Sequence, residues 1–332
     1  MLELVRRLFR RQKSLYGLDH AVLNVVLPLQ SMWMNMGYWE PNQHTTKFPE
    51  ACESLLVEVL RAGVLKDKSQ ILRILDVGCG CGDSSLYLTR KIHIGIECTP
   101  SNESDSQVQA REITSQRSID TYIGVTLVPE QAAFAQQRIV ESRKLDQVAG
   151  AGVAEVFCAD AADPSSWSGE LKDSMSDMAD TSSDPKVGTW VLAVDTMYHY
   201  RPSRLPLFQY ANSTLNASFM AFDLILGPET SWKQRLFLRL TCWLTRSPYG
   251  NFVSQEEYKN LLVQGGYEPS QIEIRDISGH VFPGLVKFLH QRVREGTPLG
   301  LNVSKFRAAE LLFGWWANTG VIRGVIVTAH KS

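Results

Sequence analysis

The sequence lacks an excess of charge of either sign. Its 332 residues include 34 Lys and Arg against 35 Asp and Glu, so the formal net charge at pH 7 is -1. Proteins that bind nucleic acid through phosphate contacts usually carry a clear surplus of basic residues, because those residues neutralise the phosphates. We therefore expect no nucleic-acid partner for the chain as a whole.

Cysteines at metal-binding spacing are also missing. The six cysteines are scattered, and no second pair of Cys or His stands at the spacing of a zinc site. Two of them, Cys79 and Cys81, lie inside a glycine-rich segment, where a disulfide would obstruct the close approach that glycines provide. We predict free thiols, a reducing compartment and no bound metal.

A hydrophobic run long enough to span a membrane is the third absence. No segment reaches the ~18 uncharged apolar residues that a span needs, and the apolar stretch 236–244 is broken by Arg239. Residues 1–17 place apolar side chains at helical spacing between five basic ones. This basic amphipathic pattern fits a helix packed on the domain, a membrane-surface anchor or a mitochondrial presequence. We expect a cytoplasmic protein, with peripheral membrane contact through this helix and a mitochondrial location as the alternatives.

Short apolar segments alternate with helical patterns along most of the chain. Strands are predicted at 73–78, 121–127, 152–160, 189–196, 217–226, 270–281 and 320–331, and helices at 47–66, 82–90, 129–144, from 282 onward and at 303–317. Such alternation predicts an α/β fold with a parallel sheet and helices on both faces. We divide the chain into an N-terminal helical or lid segment, 1–45, and one domain, 46–331, with a helical cap at 282–317.

Two segments rich in Ser and Asp interrupt this rhythm, at 98–118 and 168–186. They hold few large apolar residues, so they bury too little surface to offset the conformational entropy of ordering. We predict that both are mobile loops inserted into the fold.

The most informative motif is "ILDVGCGCGDSS" (74–85), where Gly78, Gly80 and Gly82 alternate between a strand and a helix. Glycine has no Cβ, so a ligand can touch the main chain there. A loop in this position lies at the edge of the sheet where open α/β folds bind ligands.

The loop does not have the G-x-G-x-x-G spacing that binds the pyrophosphate of a dinucleotide. In addition, Asp76 stands inside the site. A carboxylate there repels a pyrophosphate and attracts a cation. The pattern therefore favours a ligand with ammonium and sulfonium groups, although a nicotinamide oxidoreductase stays open as an alternative.

This motif resembles the first motif of class I S-adenosylmethionine-dependent methyltransferases. The resemblance covers about residues 30–331 and implies S-adenosyl-L-methionine as cofactor. It also implies a Rossmann-like seven-stranded sheet with an antiparallel last strand. The run "YIGVTLVPEQAAFAQQRI" (122–139) is similar to the branch that contains tocopherol, sterol, glycine-betaine and cyclopropane-fatty-acid methyltransferases. Many class I enzymes end strand two on an acidic residue that holds the ribose. Here Thr126 stands in that place, and the resemblance implies ribose contacts from Thr126 and Gln131.

Two further segments resemble family motifs. "FCADAAD" (157–163) is similar to the third motif, which implies that Asp160 accepts from the adenine amino group and that Ala161 offers a backbone N–H to the ring. A turn role for Asp160 is the alternative. "MNMGYWEP" resembles a turn that precedes the fold in the same branch, which implies Tyr38 and Trp39 over the methionyl end of the cofactor, where their rings attract a sulfonium. As core anchors, the two residues would need no ligand.

The segment "VDTMYHYRP" (194–202) follows strand four at the substrate side of the sheet. His199 has an ordinary pKa suited to general-base work at neutral pH, and Tyr198 or Asp195 could orient it. A structural histidine is the alternative. If His199 is the base, replacing it by Ala lowers turnover by roughly 100-fold or more and leaves cofactor binding intact.

The sequence gives less information about the methyl acceptor. Aromatic residues in 231–252 and 282–317 predict an apolar lid, although aromatic stripes at helical spacing also occur in cores. The chain has no "YEYGWG"-like box of the kind expected in sterol enzymes. We predict methyl transfer to a small lipophilic or aromatic molecule, with O-, N- and C-transfer open. A protein or RNA methyltransferase and a non-catalytic interaction protein with this fold are the alternatives.

Overall fold

The computed structural model of the protein describes residues 29, 31–40, 47–64, 67, 69, 71–90, 118–146, 152–179, 186–245 and 247–331. The predicted basic helix at 1–17, most of the N-terminal segment 1–45 and all but the last residue of the predicted insertion 98–118 lie outside these ranges.

A seven-stranded sheet forms the centre of the described chain. Its strands are β1 (Ile71–Val77), β2 (Ser118–Thr126), β3 (Val153–Cys158), β4 (Val187–Val194), β5 (Ser218–Leu226), β6 (Ile272–Asp276) and β7 (Ile322–Ala329). The order across the sheet is β3-β2-β1-β4-β5-β7-β6. Strands β1 to β5 are parallel, and β7 is antiparallel to both β5 and β6. The α/β prediction and the antiparallel last strand implied by the resemblance are confirmed.

Helices cover both faces of this sheet. They are α1 (Phe48–Val64), α2 (Asp83–Arg90), α3 (Pro129–Asp146), α4 (Gly169–Ala179), α5 (Leu205–Gln209), α6 (Trp232–Thr245), α7 (Gln255–Gln264), α8 (Ser278–Gly296) and α9 (Ser304–Thr319). Short helical turns occupy Met197–His199 and Tyr210–Thr214.

Side-chain alternation along the strands divides the core into two layers. In β1, Leu72 and Ile74 join the layer that contains apolar residues of α1, α8 and α9. Leu75 and Val77, which follow on the opposite face of the strand, join the layer that contains residues of α4, α5 and α7. Successive strand residues point to opposite faces, so a strand buried on both sides must be apolar almost throughout. The sequence of β1 meets this requirement except at Arg73 and Asp76.

The binding edge of the sheet lies where the strand order reverses. From β1 the chain proceeds outward to β2 and β3, and it then returns to place β4 on the other side of β1. The carboxyl ends of β1, β2 and β4 therefore surround one crevice, the position at which open α/β sheets bind ligands.

The prediction of a mobile loop at 168–186 is wrong for most of that segment. Residues 169–179 form helix α4, which buries Leu171, Met175 and Met178 against the sheet. These three residues recur at helical spacing, so one narrow apolar stripe is enough to anchor the helix while its Ser and Asp residues face water. Residues 180–185 lie outside the described ranges.

The helical cap is found where it was predicted, between the last two strands, as α8 and α9. The strand predicted at 270–281 is shorter, however, and ends at Asp276. The Asp276 carboxylate accepts from the Ser278 backbone N–H at 2.8 Å and from the Ser278 hydroxyl at 2.5 Å, so it starts the helix there. Within the described ranges, no helix is long and apolar enough to cross a membrane.

Candidate active site

A cavity of about 260 Å³ lies at the crevice between the ends of β1, β2 and β4. The glycine loop after β1, residues 126–131 and residues 32–35 form its walls. Its polar lining residues are Asn35, Asp76, Asp83, Ser84, Thr126, Gln131, Asp195 and Thr196. We refer to it as the polar cavity.

All three loop glycines have left-handed backbones, with φ of 89°, 56° and 84° at Gly78, Gly80 and Gly82. A Cβ on Gly78 would lie 2.6 Å from the Thr196 hydroxyl, and one on Gly82 would lie 2.8 Å from the Ala135 Cβ. The nearest neighbour of a Cβ on Gly80 would be the end of the flexible Met34 side chain, at 3.3 Å. Gly78 and Gly82 therefore let the loop pack against the fold, whereas Gly80 keeps the polar cavity open.

The carboxylate of Asp76 is buried and held in place by two hydroxyl groups. Its Oδ2 accepts from Ser84 Oγ at 2.6 Å and from Tyr122 Oη at 2.8 Å. Burial raises the pKa of Asp76 to about 6, and the two hydrogen bonds oppose that rise. The group is therefore mostly ionised at neutral pH. The sequence motifs did not single out Tyr122. The only indication of its role in the sequence is that a side chain with a hydroxyl group stands in a buried strand.

The second carboxylate of the loop, Asp83, is already neutralised. Arg138 of α3 donates from Nη1 and Nη2 to its two oxygens, at 3.0 and 3.1 Å, and both side chains are buried. The same guanidinium donates to the Cys81 carbonyl at 2.7 Å, so it fixes the glycine loop from behind.

Among the residues that the structure describes, the lining of the polar cavity includes three aspartates and neither Lys nor Arg. With Asp83 neutralised by Arg138, the ionised carboxylate of Asp76 sets the sign of the local field at neutral pH. Such a site favours a cation and disfavours a pyrophosphate.

Thr126 and Gln131, the predicted ribose contacts, both line this cavity. Thr126 Oγ1 donates to Gln131 Oε1 at 2.9 Å, so the two side chains are oriented together. Asp160 and Ala161 lie beyond the end of the neighbouring strand β3 and are not part of the lining. The Asp160 carboxylate accepts from the Ala162 N–H at 2.8 Å, as in a turn. Their contact with an adenine ring stays a prediction.

Tyr38 and Trp39 are not brought to the polar cavity. Tyr38 stacks on His280 of α8, with ring centroids 4.6 Å apart. Trp39 lies against Phe288, and a Cβ on Gly284 would come within 2.2 Å of its Cβ, so the indole packs directly on the α8 backbone. These contacts are those of the core-anchor alternative, while residues 32–35 line the cavity. Contact of Tyr38 and Trp39 with the methionyl end of the cofactor stays a prediction.

A second, larger cavity of about 520 Å³ lies beneath the cap. Its apolar lining residues include Met36, Phe48, Leu285, Phe288, Leu289, Leu301, Val303, Phe306 and Phe313. We refer to it as the apolar cavity. It shares Met34, Asn35 and Asp195 with the polar cavity, so the two spaces adjoin. Helices α8 and α9 thus form part of a pocket wall, as the lid prediction expected.

Asp195 lies where the two cavities adjoin, and both its backbone conformation and its hydrogen bonding are unusual. Its φ is 61°, which is uncommon for a residue other than glycine, and its N–H donates to the Phe222 carbonyl at 3.0 Å. The carboxyl group accepts from Tyr198 and from the Met36 backbone, while its buried Oδ1 has no partner. Burial raises the pKa of Asp195 to about 8. Backbone strain and an orphan buried oxygen in one residue are typical of functional sites.

His199 lies on the far side of the same turn. It lines a third cavity, of about 220 Å³, and neither the polar nor the apolar one. Its ring centroid is 4.2 Å from that of Tyr198, and partial burial lowers its pKa. The structure therefore brings Asp195 and Tyr198 together at the cavity junction and leaves His199 outside it. General-base catalysis by His199 stays a prediction.

A buried polar network behind the turn holds it in place. Arg204 Nε donates to Asp223 Oδ2 at 2.6 Å, and Tyr258 Oη donates to the same oxygen at 3.0 Å. The Asn251 side chain donates to the Tyr200 carbonyl at 2.6 Å. Sequence reasoning missed this network, because its members are far apart in the chain. Within the described ranges, no cluster of His, Cys, Asp and Glu is arranged to hold a metal ion.

No sequence-family model matches the chain, and no curated protein sequence matches it either. Solved structures do resemble it. Mycolic acid cyclopropane synthase CmaA1, complexed with SAH and CTAB, has a TM-score of 0.58 and 13% identity, and the likeness covers 90% of each chain. Geranyl diphosphate C-methyltransferase from Streptomyces coelicolor A3(2), in complex with Mg²⁺, geranyl diphosphate and S-adenosyl-L-homocysteine, has a TM-score of 0.53 and 14% identity, covering 90% of this chain and 91% of its own.

The crystal structure of the 4+2 cyclase SpnF has a TM-score of 0.53 and 17% identity, covering 96% of this chain and 94% of its own. At such identities the likeness concerns the fold. The chain has the seven-stranded fold of the class I S-adenosylmethionine-dependent methyltransferases, as the resemblance of its motifs implied.

Proposed function

We propose that the protein is an S-adenosylmethionine-dependent methyltransferase that acts on a small lipophilic acceptor. The observation that carries this proposal is the meeting of two unlike cavities at Asp195. One lies at the glycine loop, and its described lining residues include three aspartates and neither Lys nor Arg. The other is about twice as large and mostly apolar. Methyl transfer requires a cationic donor and a separate acceptor to be held side by side with water excluded.

The residues of the polar cavity fit this donor. Asp76 supplies a negative charge for its cationic methionyl end, and Gly80 leaves room for close approach to the main chain. Thr126 and Gln131 offer hydroxyl and amide groups to a ribose, and Asp160 at the neighbouring strand end is the candidate partner of the adenine. When bound, the donor supplies an electrophilic methyl group.

Asp195 is the residue that we assign to acid–base work. Its carboxyl group lines both cavities, and its buried Oδ1 has no hydrogen-bond partner, so this oxygen can hold or release a proton. A raised pKa means that the free protein holds Asp195 largely protonated at neutral pH. A cation bound next to it favours the carboxylate form, which is the form that removes a proton from an acceptor. Tyr198 donates to this carboxyl group and orients it.

The solved relatives support the acceptor class. Two of them are named for geranyl diphosphate and mycolic acid, whose chains are lipophilic. A third is named as a cyclase, so the fold by itself leaves the reaction open. We favour a small acceptor over a protein or RNA, because the apolar cavity lies beneath α8 and α9 and is sized for a small molecule.

The experiment is transfer of a radiolabelled methyl group from S-adenosylmethionine to fractionated cell extract. We expect label in the lipid-soluble fraction. The Gly80→Ala variant, which adds a Cβ at a left-handed residue of the cavity wall, should lose the transfer. The matched control is Gly169→Ala at the start of α4, where an added Cβ meets nothing within 4 Å. Label only in protein or RNA, or equal transfer by both variants, would contradict the proposal.

A further inference from the structure

Helix α6 has its apolar side turned outward. Trp232, Leu236, Leu240 and Leu244 recur every four residues, and Trp243 lies beside this row. Their exposed fractions are 70%, 61%, 50%, 66% and 75%. We call these five residues the α6 outer face. Helices of soluble proteins usually turn such a row toward the core, and exposed contiguous apolar patches mark interaction surfaces.

The charged residues of helix α6 itself are all basic. Residues 232–245 contain Lys233, Arg235 and Arg239, all exposed, and no Asp or Glu. Arg239 lies along one flank of the row, with its guanidinium carbon 4.9 Å from the centroid of the Tyr249 ring. Tryptophans at both ends of an apolar row, with basic residues at its side, are the composition of a helix that lies in the interface of an anionic bilayer.

The inner face of the same helix lines a cavity. Leu238, Thr241, Cys242 and Thr245 form one wall of the third cavity, of about 220 Å³. This cavity shares Met36, Tyr198 and Phe313 with the apolar cavity. Helix α6 therefore separates the exposed apolar row from a chain of adjoining cavities that ends at Asp195.

We propose that the α6 outer face docks on the surface of an anionic lipid bilayer, with the helix parallel to the membrane and its basic flank on the headgroups. The side of the fold that holds the adjoining cavities then faces the lipid. A lipophilic acceptor enters the apolar cavity from the bilayer, a step that rests on the proposed function. The docking itself does not depend on methyl transfer.

The test is co-sedimentation of the full chain with vesicles of phosphatidylcholine alone or mixed with phosphatidylglycerol. Wild type should bind the anionic vesicles, and added salt should weaken the binding. The double variant Leu240→Glu, Trp243→Glu should bind at least about tenfold more weakly. The control is Val140→Glu, Val263→Glu, which places the same charges at exposed apolar residues of α3 and α7 and should bind as wild type does.

A milder variant keeps the inference testable if the double variant fails to fold. Trp243→Phe preserves the apolar row, and brominated lipids should quench less tryptophan fluorescence in this variant than in wild type. Unchanged quenching would contradict the docking.

Three other results would overturn it. One is a wild type that does not bind vesicles, and another is binding by the Glu variant equal to that of wild type, which would assign the contact to another part of the chain such as 1–28. The third is a dimeric wild type with a monomeric Glu variant, because a second copy would then cover this face. Titration of the variants with S-adenosylmethionine distinguishes an error in the docking proposal from an error in the proposed function. A variant that no longer docks on vesicles should still bind the methyl donor.

Discussion

Replacing Asp195 by Asn should remove a proton that the protein releases when it binds its methyl donor. Asn has nearly the same shape as protonated Asp but cannot ionise. At pH 6 the carboxyl group of wild type is largely protonated, because burial raises its pKa to about 8. In the unfolded chain this carboxyl group is protonated only near pH ~4 and below, so the two proteins should unfold at similar temperatures at pH ~4. This melting comparison is the control for an intact fold.

The magnitude follows from that pKa. With a pKa of about 8, ~0.9 of the Asp195 population holds a proton at pH 7. A neighbouring cation favours the ionised form, so binding should release close to ~0.9 proton more from wild type than from the Asn variant. By linkage, the dissociation constant of wild type should fall as the pH rises, by at most ~10-fold per pH unit and by up to roughly 30-fold between pH 6 and 7.5.

The assay is titration calorimetry at pH 7 in phosphate and in Tris, whose different heats of ionisation reveal the number of protons released. The α-amino group of the donor also titrates, near pH ~8, but the comparison of the two proteins cancels its contribution. Equal proton release by wild type and the Asn variant would refute the placement of Asp195 beside the donor. So would an affinity of the Asn variant that depends on pH as steeply as that of wild type, since Asp76 alone should give only a weak dependence in this range.

The raised pKa of Asp195 also makes the stability of the folded protein depend on pH. The folded protein holds a proton on Asp195 that the unfolded chain loses above pH ~4. The free energy of unfolding of wild type should therefore fall as the pH rises from about 4 through about 8. In the Asn variant this contribution to the slope should be absent, and denaturant titrations at pH 6 and pH 8.5 measure it.

Three further predictions concern other residues. Tyr122→Phe removes a hydrogen bond that lowers the pKa of Asp76, so the affinity for the donor at pH 6 should fall by about 3- to 10-fold and recover at pH 8, as measured by calorimetry. His199→Ala should retain at least about a third of wild-type turnover in a steady-state methylation assay, because the ring lies outside both the polar and the apolar cavity; a roughly 100-fold loss would restore His199 as the base. Ser254→Ala removes the hydroxyl that caps α7 opposite Glu257 and should cost about 1 kcal/mol in denaturant unfolding, with donor affinity unchanged.

The sheet could be predicted from the sequence because its strands carry strong local signals. A strand buried on both faces needs an almost continuous apolar run, and β1, β4 and β5 supply one. The glycine loop is equally local, since its spacing and Asp76 stand within a few residues of each other. The cap could be placed because two long helical patterns precede the last strand.

Other elements gave weaker local signals. Helix α4 needs only three apolar residues among many Ser and Asp, so its composition resembles that of a loop. The sequence pattern predicts neither α6 nor α7. In α6 an apolar row faces outward, so the helix lacks the usual pattern of one buried apolar face and one exposed polar face. In α7 only Tyr258 and Leu262 are buried, although its start has a clear capping box.

The finer geometry of the candidate site depends on tertiary contacts that no short motif records. The sequence indicates that a polar turn follows β4. It does not indicate that Asp195 adopts a left-handed backbone or that Oδ1 is left without a partner. Likewise, Tyr38 and Trp39 stand only three and four residues after Asn35 of the cavity lining, but their rings pack against α8.

The most direct test of the central claim is calorimetric titration of the purified protein at pH 7.5 with S-adenosylmethionine, S-adenosylhomocysteine and NADH. We predict saturable one-to-one binding of the first two and none of the third, because the described lining of the polar cavity contains three aspartates and neither Lys nor Arg. Saturable binding of NADH, with no heat from either sulfur compound, would contradict it.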